Sequence, residues 1–342
     1  MVTKFFTLRF LFLFSLAISI TAFAQPPVGG PPQRTITEIG DGLYRVNTGP
    51  GVSGVFVFLV TDEGILIVDP SNPEVSEWLL GELNTRFPGQ EVKYVVESHY
   101  HWDHARGSSS FEDTALFIGH ENLLTNLDAN IAEAPPPGNT RDENGDGLLA
   151  RSEAQTGTLA NFDAMDLNSD NFLTQTELTT GLVRPAIVFS DRLELEFGGK
   201  RVVLLWSQNR HTSDLIDVYF PDHKTLYATD YVWINRMCCN FEFDGRPLST
   251  WIESIRDLES LDFDMLVSSH FATGNKADLI GFRRQLEDFG YAISEGIENG
   301  ESLEEIQASL TLEEYSDLEG YDRQLEAIIA SFYGSLVRVK VL

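Results

Sequence analysis

The sequence predicts a layered α/β domain. Short apolar or alternating runs, typical of strands, recur between residues 43 and 268, and helical stretches separate or follow them. An apolar fraction of 42% in a chain of 342 residues is enough for a sizeable core. In addition, histidines and an aspartate cluster directly behind one predicted strand, where a loop can aim several side chains at one point.

The first 24 residues are typical of a secretory signal peptide. Lys4 and Arg9 give a positive start, an apolar run covers residues 10–24, and Ala22-Phe23-Ala24 matches a cleavage site. A transmembrane anchor is the alternative, but the apolar run is short for that role. Residues 25–35, rich in proline and glycine, are expected to form a flexible leader. We therefore expect a periplasmic or extracellular protein without a membrane anchor.

Composition and charge narrow the range of partners. The net charge of −28 disfavours binding to nucleic acid and to anionic membranes, so we expect a small-molecule substrate and leave the oligomeric state open. The two cysteines, Cys238 and Cys239, are adjacent, which excludes an ordinary disulfide framework. Free thiols, a vicinal disulfide and an intermolecular link all stay open. We predict that this pair shapes the rim of the pocket and does not bind the catalytic metals.

The order of the predicted elements is that of a mixed α/β domain. In the first part, strands are predicted at 43–47, 55–60, 65–68, 93–96 and 115–118, with helices at 72–86 and after His120. In the second part, strands are predicted at 186–189, 193–197, 202–206, 217–220, 225–228 and 266–268. An amphipathic helix is predicted at 247–261, and most of the chain from residue 277 onwards is expected to be helical.

The histidine cluster occupies residues 97–104. His99 and His101 are two positions apart, so in an extended loop their side chains point the same way. Asp103 and His104 follow after the chain bends and can face a second metal. Imidazole and carboxylate together suit a divalent cation of intermediate softness, zinc above all. A solvated polar loop is a poorer explanation for four ligand-type residues in six positions.

The H-x-H-x-D-H stretch resembles the signature of the metallo-β-lactamase superfamily. Four further segments are similar to motifs of that family and occur in the family's order: a strand that ends in Asp69, the segment after His211, the strand before Asp230, and the strand before His270. The resemblance implies a four-layer αββα sandwich with a metal site at one edge between two sheets. It also implies two zinc ions, with iron or manganese as alternatives.

The ligands implied by the resemblance form two groups that share one residue. The first metal would be held by His99, His101 and His211, and the second by Asp103, His104 and His270. Asp230 would bridge the two metals, and Asp69 would support the ligand loop without binding metal. Around the site the sequence departs from the family pattern at three positions, Asp214, Ser269 and Phe271.

The implied reaction is hydrolysis by a metal-bridging hydroxide. Two cations that share one water lower its pKa towards neutrality, and the hydroxide attacks an ester, thioester, lactone or amide carbon. Asp103 is the expected catalytic residue, because it can orient the nucleophile. An iron persulfide-dioxygenase-like enzyme with one metal is an alternative. A β-lactamase is less expected, because two subclasses have cysteine where this chain has Asp230. A calcium-dependent binding module with a relict metal site is the non-enzymatic alternative.

An insertion at residues 135–182 interrupts the domain that we expect over residues 36–342. It contains two stretches that match the twelve-residue EF-hand loop, with oxygen donors at the expected spacing. Asn171 replaces the glycine of the second loop, and Leu149 and Leu173 both occupy position 8. We therefore expect a small helical EF-hand-like insertion that binds two calcium ions as a structural clamp. The predicted ligands are Asp142, Asn144, Asp146, Leu148 and Glu153 in the first loop, and Asp166, Asn168, Asp170, Phe172 and Glu177 in the second.

Overall fold

A computed structural model describes residues 33–49, 54–129, 142–154, 158–159, 161–208, 211–238 and 247–341. The predicted signal peptide, nearly all of the predicted leader and Cys239 lie outside the described residues. Thr35, the last residue of the predicted leader, belongs instead to the first strand. Residues 33–342 form one unit by their contacts. Among the described residues, no helix combines the length and apolar character that a membrane span needs.

Fifteen strands are present in the described residues. They are β1 (Thr35–Gly40), β2 (Leu43–Asn47), β3 (Val55–Thr61), β4 (Gly64–Val68), β5 (Val92–Val96), β6 (Leu116–His120), β7 (Leu149–Ala150), β8 (Phe172–Leu173), β9 (Ile187–Phe189), β10 (Arg192–Phe197), β11 (Lys200–Trp206), β12 (Ile216–Phe220), β13 (Thr225–Ala228), β14 (Met265–Ser268) and β15 (Thr273–Gly274).

The described α-helices range in length from four to 23 residues. They are α1 (Pro73–Arg86), α2 (Trp102–Ala105), α3 (Glu121–Asp128), α4 (Phe162–Met165), α5 (Gln175–Leu178), α6 (Leu248–Glu259), α7 (Lys276–Glu298), α8 (Leu303–Ser309) and α9 (Tyr321–Val341). Asn72 begins α1 by accepting a hydrogen bond from the amide of Val75, and Pro73 follows at the first helical position. His120 caps α3 in the same way, through the amide of Asn122.

The strands form two large mixed sheets. The first has the order β1-β2-β3-β4-β5-β6-β9, antiparallel from β1 to β4 and parallel from β4 onwards. The second has the order β10-β11-β12-β13-β14-β15, with one parallel pair, β13 and β14. The prediction of a layered α/β domain is confirmed at this level, as two mixed sheets with helices.

Three apolar clusters hold the sheets and helices together. One contains residues from both sheets, such as Leu66 and Val218, so the two sheets pack against each other. A second joins the first sheet to α1 through residues that include Ile67 and Leu79. The third joins the second sheet to α6, α7 and α9. Burial of this apolar surface is the main stabilising contribution to the fold.

The described part of the insertion has its own small core. Strands β7 and β8 pair in antiparallel register with Leu149 opposite Leu173, the two residues at position 8 of the loops. The described helices beside the loops, α4 and α5, have only four residues each. A full EF-hand has a longer helix on each side of its loop, so the described residues lend no support to an EF-hand-like unit, and that unit stays a prediction. Calcium binding stays a prediction.

Candidate metal centre

The predicted metal ligands follow the carboxyl ends of strands from both sheets. The segment with His99, His101, Asp103 and His104 leaves β5, Asp230 follows β13, and His270 follows β14. His211 lies in the connection between β11 and β12, whose two ends are tied by a hydrogen bond from Ser207 to Leu215. The structure brings all seven residues together at one edge of the two sheets, in two groups that share Asp230.

The first group consists of His99, His101, His211 and Asp230. The Nε2 atom of His211 lies 3.0 Å from Nδ1 of His101 and 3.5 Å from Oδ2 of Asp230. Nε2 of His99 lies 3.6 Å from the same Oδ2 atom. Ligands about 2.0–2.1 Å from a tetrahedral zinc ion lie about 3.3–3.4 Å apart. The donor atoms of this group therefore have the spacing of one metal site.

The second group consists of Asp103, His104, His270 and Asp230. Nε2 of His104 lies 3.0 Å from Oδ1 of Asp230 and 3.6 Å from Oδ2 of Asp103. Nε2 of His270 lies 2.9 Å from Oδ1 of Asp230 and 3.7 Å from Oδ2 of Asp103. Asp230 thus presents one oxygen to each group, which is the arrangement of a carboxylate that bridges two metals.

The donor set fits two divalent cations. The side chain of His99 is fully buried, and its Nε2 atom has no hydrogen-bond partner in the part of the chain that the structure describes. A buried nitrogen of this kind is costly unless it binds something. Two imidazole-and-carboxylate groups that share Asp230 are consistent with a dinuclear metal site.

Electrostatics in the site favour the neutral imidazole at His99 and His101 but the protonated imidazole at His104. Burial lowers the pKa of His99 and that of His101, which favours the neutral imidazole that binds metal. Burial alone would also lower the pKa of His104, but the carboxylates of Asp230 and Asp103 outweigh it and raise that pKa well above its ordinary value. The same negative charge would stabilise a bound cation.

Asp69 organises the ligand loop from behind. Its Oδ1 atom accepts a hydrogen bond from the amide of Ser98 (2.8 Å), and its Oδ2 atom accepts from the hydroxyls of Ser98 (2.6 Å) and Tyr227 (2.9 Å). Nδ1 of His104 lies 3.2 Å from Oδ2, so this contact directs Nε2 of His104 towards the metal site. Burial alone would raise the pKa of Asp69, but His104, His99 and Ser98 hold it below its usual value.

Ser98 fixes the tautomer of His99. Its hydroxyl proton is donated to Asp69, so its oxygen accepts a hydrogen bond from Nδ1 of His99 over 2.9 Å. The proton of His99 is thereby placed on Nδ1, and Nε2 is left with its lone pair for a metal. The sequence indicates that Ser98 lies close to the site, because this residue directly precedes the first histidine ligand.

Asp214, one of the three departures from the family pattern, joins the two ligand loops. Its Oδ2 atom accepts a hydrogen bond from the amide of Tyr100, between His99 and His101, over 2.8 Å. Its Oδ1 atom accepts from Nδ2 of Asn126 at the end of α3 over 2.7 Å. The side chain is fully buried, and burial raises its pKa. Sequence reasoning missed this link, because nothing local to Asp214 indicates its partners.

The centre is most open on the side of His270, whose side chain is 14% exposed, compared with 0% for His99. Phe271 follows, half exposed and with a φ of 67°, a conformation that is strained for a bulky side chain. The ring of Phe271 meets that of Trp233 edge to face at 6.3 Å, and the guanidinium of Arg236 lies over it at 3.8 Å. An aromatic surface therefore borders the open side.

Cys238 lies apart from the metal ligands. Its side chain is buried in the apolar cluster between the second sheet and the helices, and its amide donates a hydrogen bond to Oε1 of Gln285 over 2.9 Å. The side chain of Cys238 faces this core, and Cys239 lies outside the described residues, so a role of the pair at the rim of the pocket stays a prediction. Among the described residues, no metal-ligand group includes a cysteine.

The comparisons with known proteins agree with this geometry. The family described as the metallo-beta-lactamase superfamily matches residues 50–117, which include β3 to β5 and the ligand segment 99–104. This segment of the chain is thus similar to the metallo-beta-lactamase superfamily. The prediction of a metal-dependent hydrolase of this superfamily is confirmed at the level of the fold and the ligand set. The matched residues end before the insertion and lend no support to an EF-hand there.

Two curated proteins are similar to this chain. The α subunit of 2,4-dinitroanisole O-demethylase from Nocardioides sp. (strain JS1661) is 23% identical over 246 residues, which cover 70% of this chain and 56% of that protein. A linear primary-alkylsulfatase from Pseudomonas sp. is 22% identical over 220 residues, 61% of this chain and 39% of that protein. The chain thus spans about half the length of the curated relatives it matches.

A solved structure shares the fold of this chain. The stereoselective inverting sec-alkylsulfatase Pisa1 from Pseudomonas sp. superposes with a TM-score of 0.61 at 16% identity, over 88% of this chain and 50% of that one. At this identity the match shows that the fold is shared, and it leaves the reaction open.

Proposed function

We propose that the protein is a dinuclear zinc hydrolase, built on the four-layer αββα sandwich of its superfamily. The position of Asp230 carries this proposal, because its two carboxylate oxygens face two separate groups of ligands, at 3.5–3.6 Å on one side and 2.9–3.0 Å on the other. Bound zinc ions would supply an activated water at neutral pH and would polarise the bond to be cleaved.

The chain's own residues would prepare the attack in three ways. Asp230 fixes the distance between the two ligand groups. Asp103, whose Oδ2 atom lies within 3.7 Å of both His104 and His270, can orient the attacking water and accept its proton. Asp69 and Ser98 hold the imidazoles of His104 and His99 in the orientation that the site needs.

An alkyl sulfate ester is the substrate class that the relatives favour. Two of the proteins similar to this chain are named alkylsulfatases. The aromatic surface of Phe271 and Trp233 beside the open side of the centre suits the alkyl part of such a substrate. A second candidate is an aryl methyl ether, because the other relative is named a dinitroanisole O-demethylase. Both reactions release an oxygen leaving group that a cation can stabilise.

The test combines metal analysis with a substrate panel. The purified protein should contain about two zinc ions per chain. It should hydrolyse an alkyl sulfate faster than a carboxylic ester, lactone, thioester, β-lactam or aryl methyl ether. Asp230→Ala should abolish hydrolysis and lower the metal content while the far-ultraviolet circular dichroism is unchanged. One tightly bound iron, with oxygen consumed on a persulfide, would contradict the proposal and favour the dioxygenase alternative.

We further propose that the protein acts in the periplasm or outside the cell on a small molecule. The residues of the predicted signal peptide support this location. Fractionation of cells that express the full chain, with the mature N-terminus determined by mass spectrometry, would test it. A product that stays in the cytoplasm with residues 1–24 attached would contradict the proposed location without affecting the proposed reaction.

A further inference from the structure

The ligand helix α2 is too short to fix its own position. It has four residues, Trp102–Ala105, and its N-cap residue His101 has no side-chain hydrogen bond that caps the helix. One turn of helix is unstable by itself in water, so its orientation must come from tertiary contacts. That orientation matters, because His101, Asp103 and His104 all lie on or at the start of this turn.

One side of α2 is attached to the main domain. The carbonyl of His104 accepts a hydrogen bond from the amide of Ser71 over 2.7 Å, and the amide of Gly107 donates to the carbonyl of Ser71 over 2.9 Å. Oδ2 of Asp69 holds the ring of His104 from the same direction. These contacts tie the C-terminal half of the turn to the loop between β4 and α1.

The insertion holds the other side. Trp102, between ligands His101 and Asp103, is 7% exposed and belongs to the apolar core of the insertion. It is the one member of that cluster from outside residues 135–182 among those the structure describes. The other members are Leu149, Ala154, Phe162, Met165, Leu173 and Leu178.

Hydrogen bonds reinforce this attachment on both sides of the ligand segment. Arg106, also 7% exposed, donates from Nε to the carbonyl of Thr180 (3.0 Å) and from Nη2 to that of Ala164 (3.3 Å). At the other end of the segment, the amide of Val183 donates to Oε1 of Glu97 over 3.1 Å. A Cβ atom at Gly181 would lie 2.1 Å from the carbonyl oxygen of Arg106, so the exit of the insertion packs directly on the end of α2.

We infer that the insertion is a structural part of the metal centre, and that Trp102 and Arg106 are positioning residues through which it holds His101, Asp103 and His104 in ligating geometry. Loosening the core of the insertion should weaken metal binding, although none of its own residues belongs to the ligand groups found in the described residues.

Two pairs of variants distinguish an effect on the position of the metal ligands from a general loss of protein stability. Leu173 and Leu79 are both fully buried leucines, one in the core of the insertion and the other between α1 and the first sheet. The first pair is Leu173→Ala and Leu79→Ala in the full-length protein. The second pair is Trp102→Ala and Trp102→Phe, in which phenylalanine keeps much of the aromatic packing.

The measurement is the dissociation constant for zinc by competition with a chromophoric chelator, together with the thermal midpoint of the metal-free protein. Leu173→Ala and Trp102→Ala should weaken zinc binding by about tenfold to a hundredfold. This is the typical loss in metal affinity when a residue that orients a metal ligand is mutated. Trp102→Phe should restore most of the affinity. Leu79→Ala should lower the thermal midpoint and leave zinc affinity within about twofold, because its cluster contains no residue of the ligand segment 97–104.

Zinc affinity that is unchanged in Leu173→Ala, while proteolysis of residues 135–182 becomes faster, would overturn the inference. An equal loss of zinc affinity in Leu79→Ala would also overturn it, because the effect would then be general destabilisation. The inference rests on the dinuclear site of the proposed function. A wild-type protein that binds no zinc would refute that proposal first, whereas wild-type binding with an unaffected Leu173→Ala would refute this inference alone.

Discussion

The hydroxyl of Ser269 donates a hydrogen bond to Oδ1 of Asp230 over 2.7 Å. This oxygen faces His104 and His270, so Ser269 orients the carboxylate that the two ligand groups share. In the family pattern, a glycine occupies the position of Ser269 beside the ligand. The hydrogen bond to Asp230 gives the serine at this position a structural role. Its backbone is held as well, through hydrogen bonds with Val55 and Ala228.

Removing this hydroxyl should weaken the second metal site. We expect Ser269→Ala to lower the affinity for the second zinc ion by about tenfold to a hundredfold, with a matching loss of activity at limiting zinc. The measurement is zinc titration followed by hydrolysis. Ser254→Ala is the matched control, because that buried serine donates to a carbonyl within α6. Equal behaviour of the two variants would contradict the role assigned to Ser269.

Four of the ligands could be predicted from the sequence because they are local: His99, His101, Asp103 and His104 lie within six positions. The other three, His211, Asp230 and His270, are distant in the chain, and only the resemblance to the metallo-β-lactamase superfamily implied them. The contacts of Trp102, Asp214 and Ser269 could not be predicted, because their partners are distant in the chain and no periodicity encodes the pairing. The same holds for β1, which contains few apolar residues and whose position is fixed by pairing with β2.

Tyr227→Phe tests the support behind His104. The hydroxyl of Tyr227 donates to Oδ2 of Asp69 over 2.9 Å in a fully buried position, so its loss leaves a buried carboxylate with one donor fewer. We expect the free energy of unfolding of the metal-free protein to fall by about 1–3 kcal/mol, and zinc affinity to fall as well. Urea denaturation and chelator competition measure the two quantities.

The control for that variant is Tyr231→Phe. The hydroxyl of Tyr231 donates to Oδ2 of Asp217, another buried carboxylate, over 2.8 Å. Asp217 belongs to neither ligand group. Tyr231→Phe should therefore reduce stability to a similar degree without changing zinc affinity. If both variants lose zinc affinity equally, Asp69 has no special role in holding His104.

Phe271→Gly tests the aromatic surface beside His270. Glycine adopts the positive φ of this position without strain, so the variant should be at least as stable as the wild type. Loss of the ring should raise KM for long-chain alkyl sulfates more than for short-chain ones, because less apolar surface is buried on binding. Tyr291→Ala, which removes an exposed aromatic side chain on α7, is the control. An unchanged dependence on chain length would contradict a substrate-binding role for Phe271.

Changing both Cys238 and Cys239 to serine should leave the zinc content unchanged. The side chain of Cys238 is buried in the apolar cluster against the helices, so a serine hydroxyl there should lower the free energy of unfolding by about 1–3 kcal/mol. Zinc analysis of the purified variant and urea denaturation measure these effects. A fall in zinc content together with activity would show that a cysteine is a ligand after all.

Calcium binding to the insertion is a prediction that a titration can decide. In each loop the glutamate at position 12, Glu153 or Glu177, is buried and accepts backbone hydrogen bonds that close the loop. We expect calcium to bind within the range of EF-type loops, roughly 10⁻⁹–10⁻³ M, and to raise the thermal midpoint and the protease resistance of residues 135–182. Glu153→Gln with Glu177→Gln is the control variant. No binding at millimolar calcium would refute the prediction.

If calcium binds, its effect should reach the zinc site through Trp102. Calcium would stabilise the core that contains Leu149 and Leu173, and the same core holds Trp102 beside the zinc ligands. Linkage requires that the factor by which calcium strengthens zinc binding equals the factor by which zinc strengthens calcium binding. Isothermal titrations with each metal, in the presence and absence of the other, measure both factors. We expect Trp102→Ala to reduce both factors to one, because it removes the side chain that connects the core of the insertion to the zinc ligands.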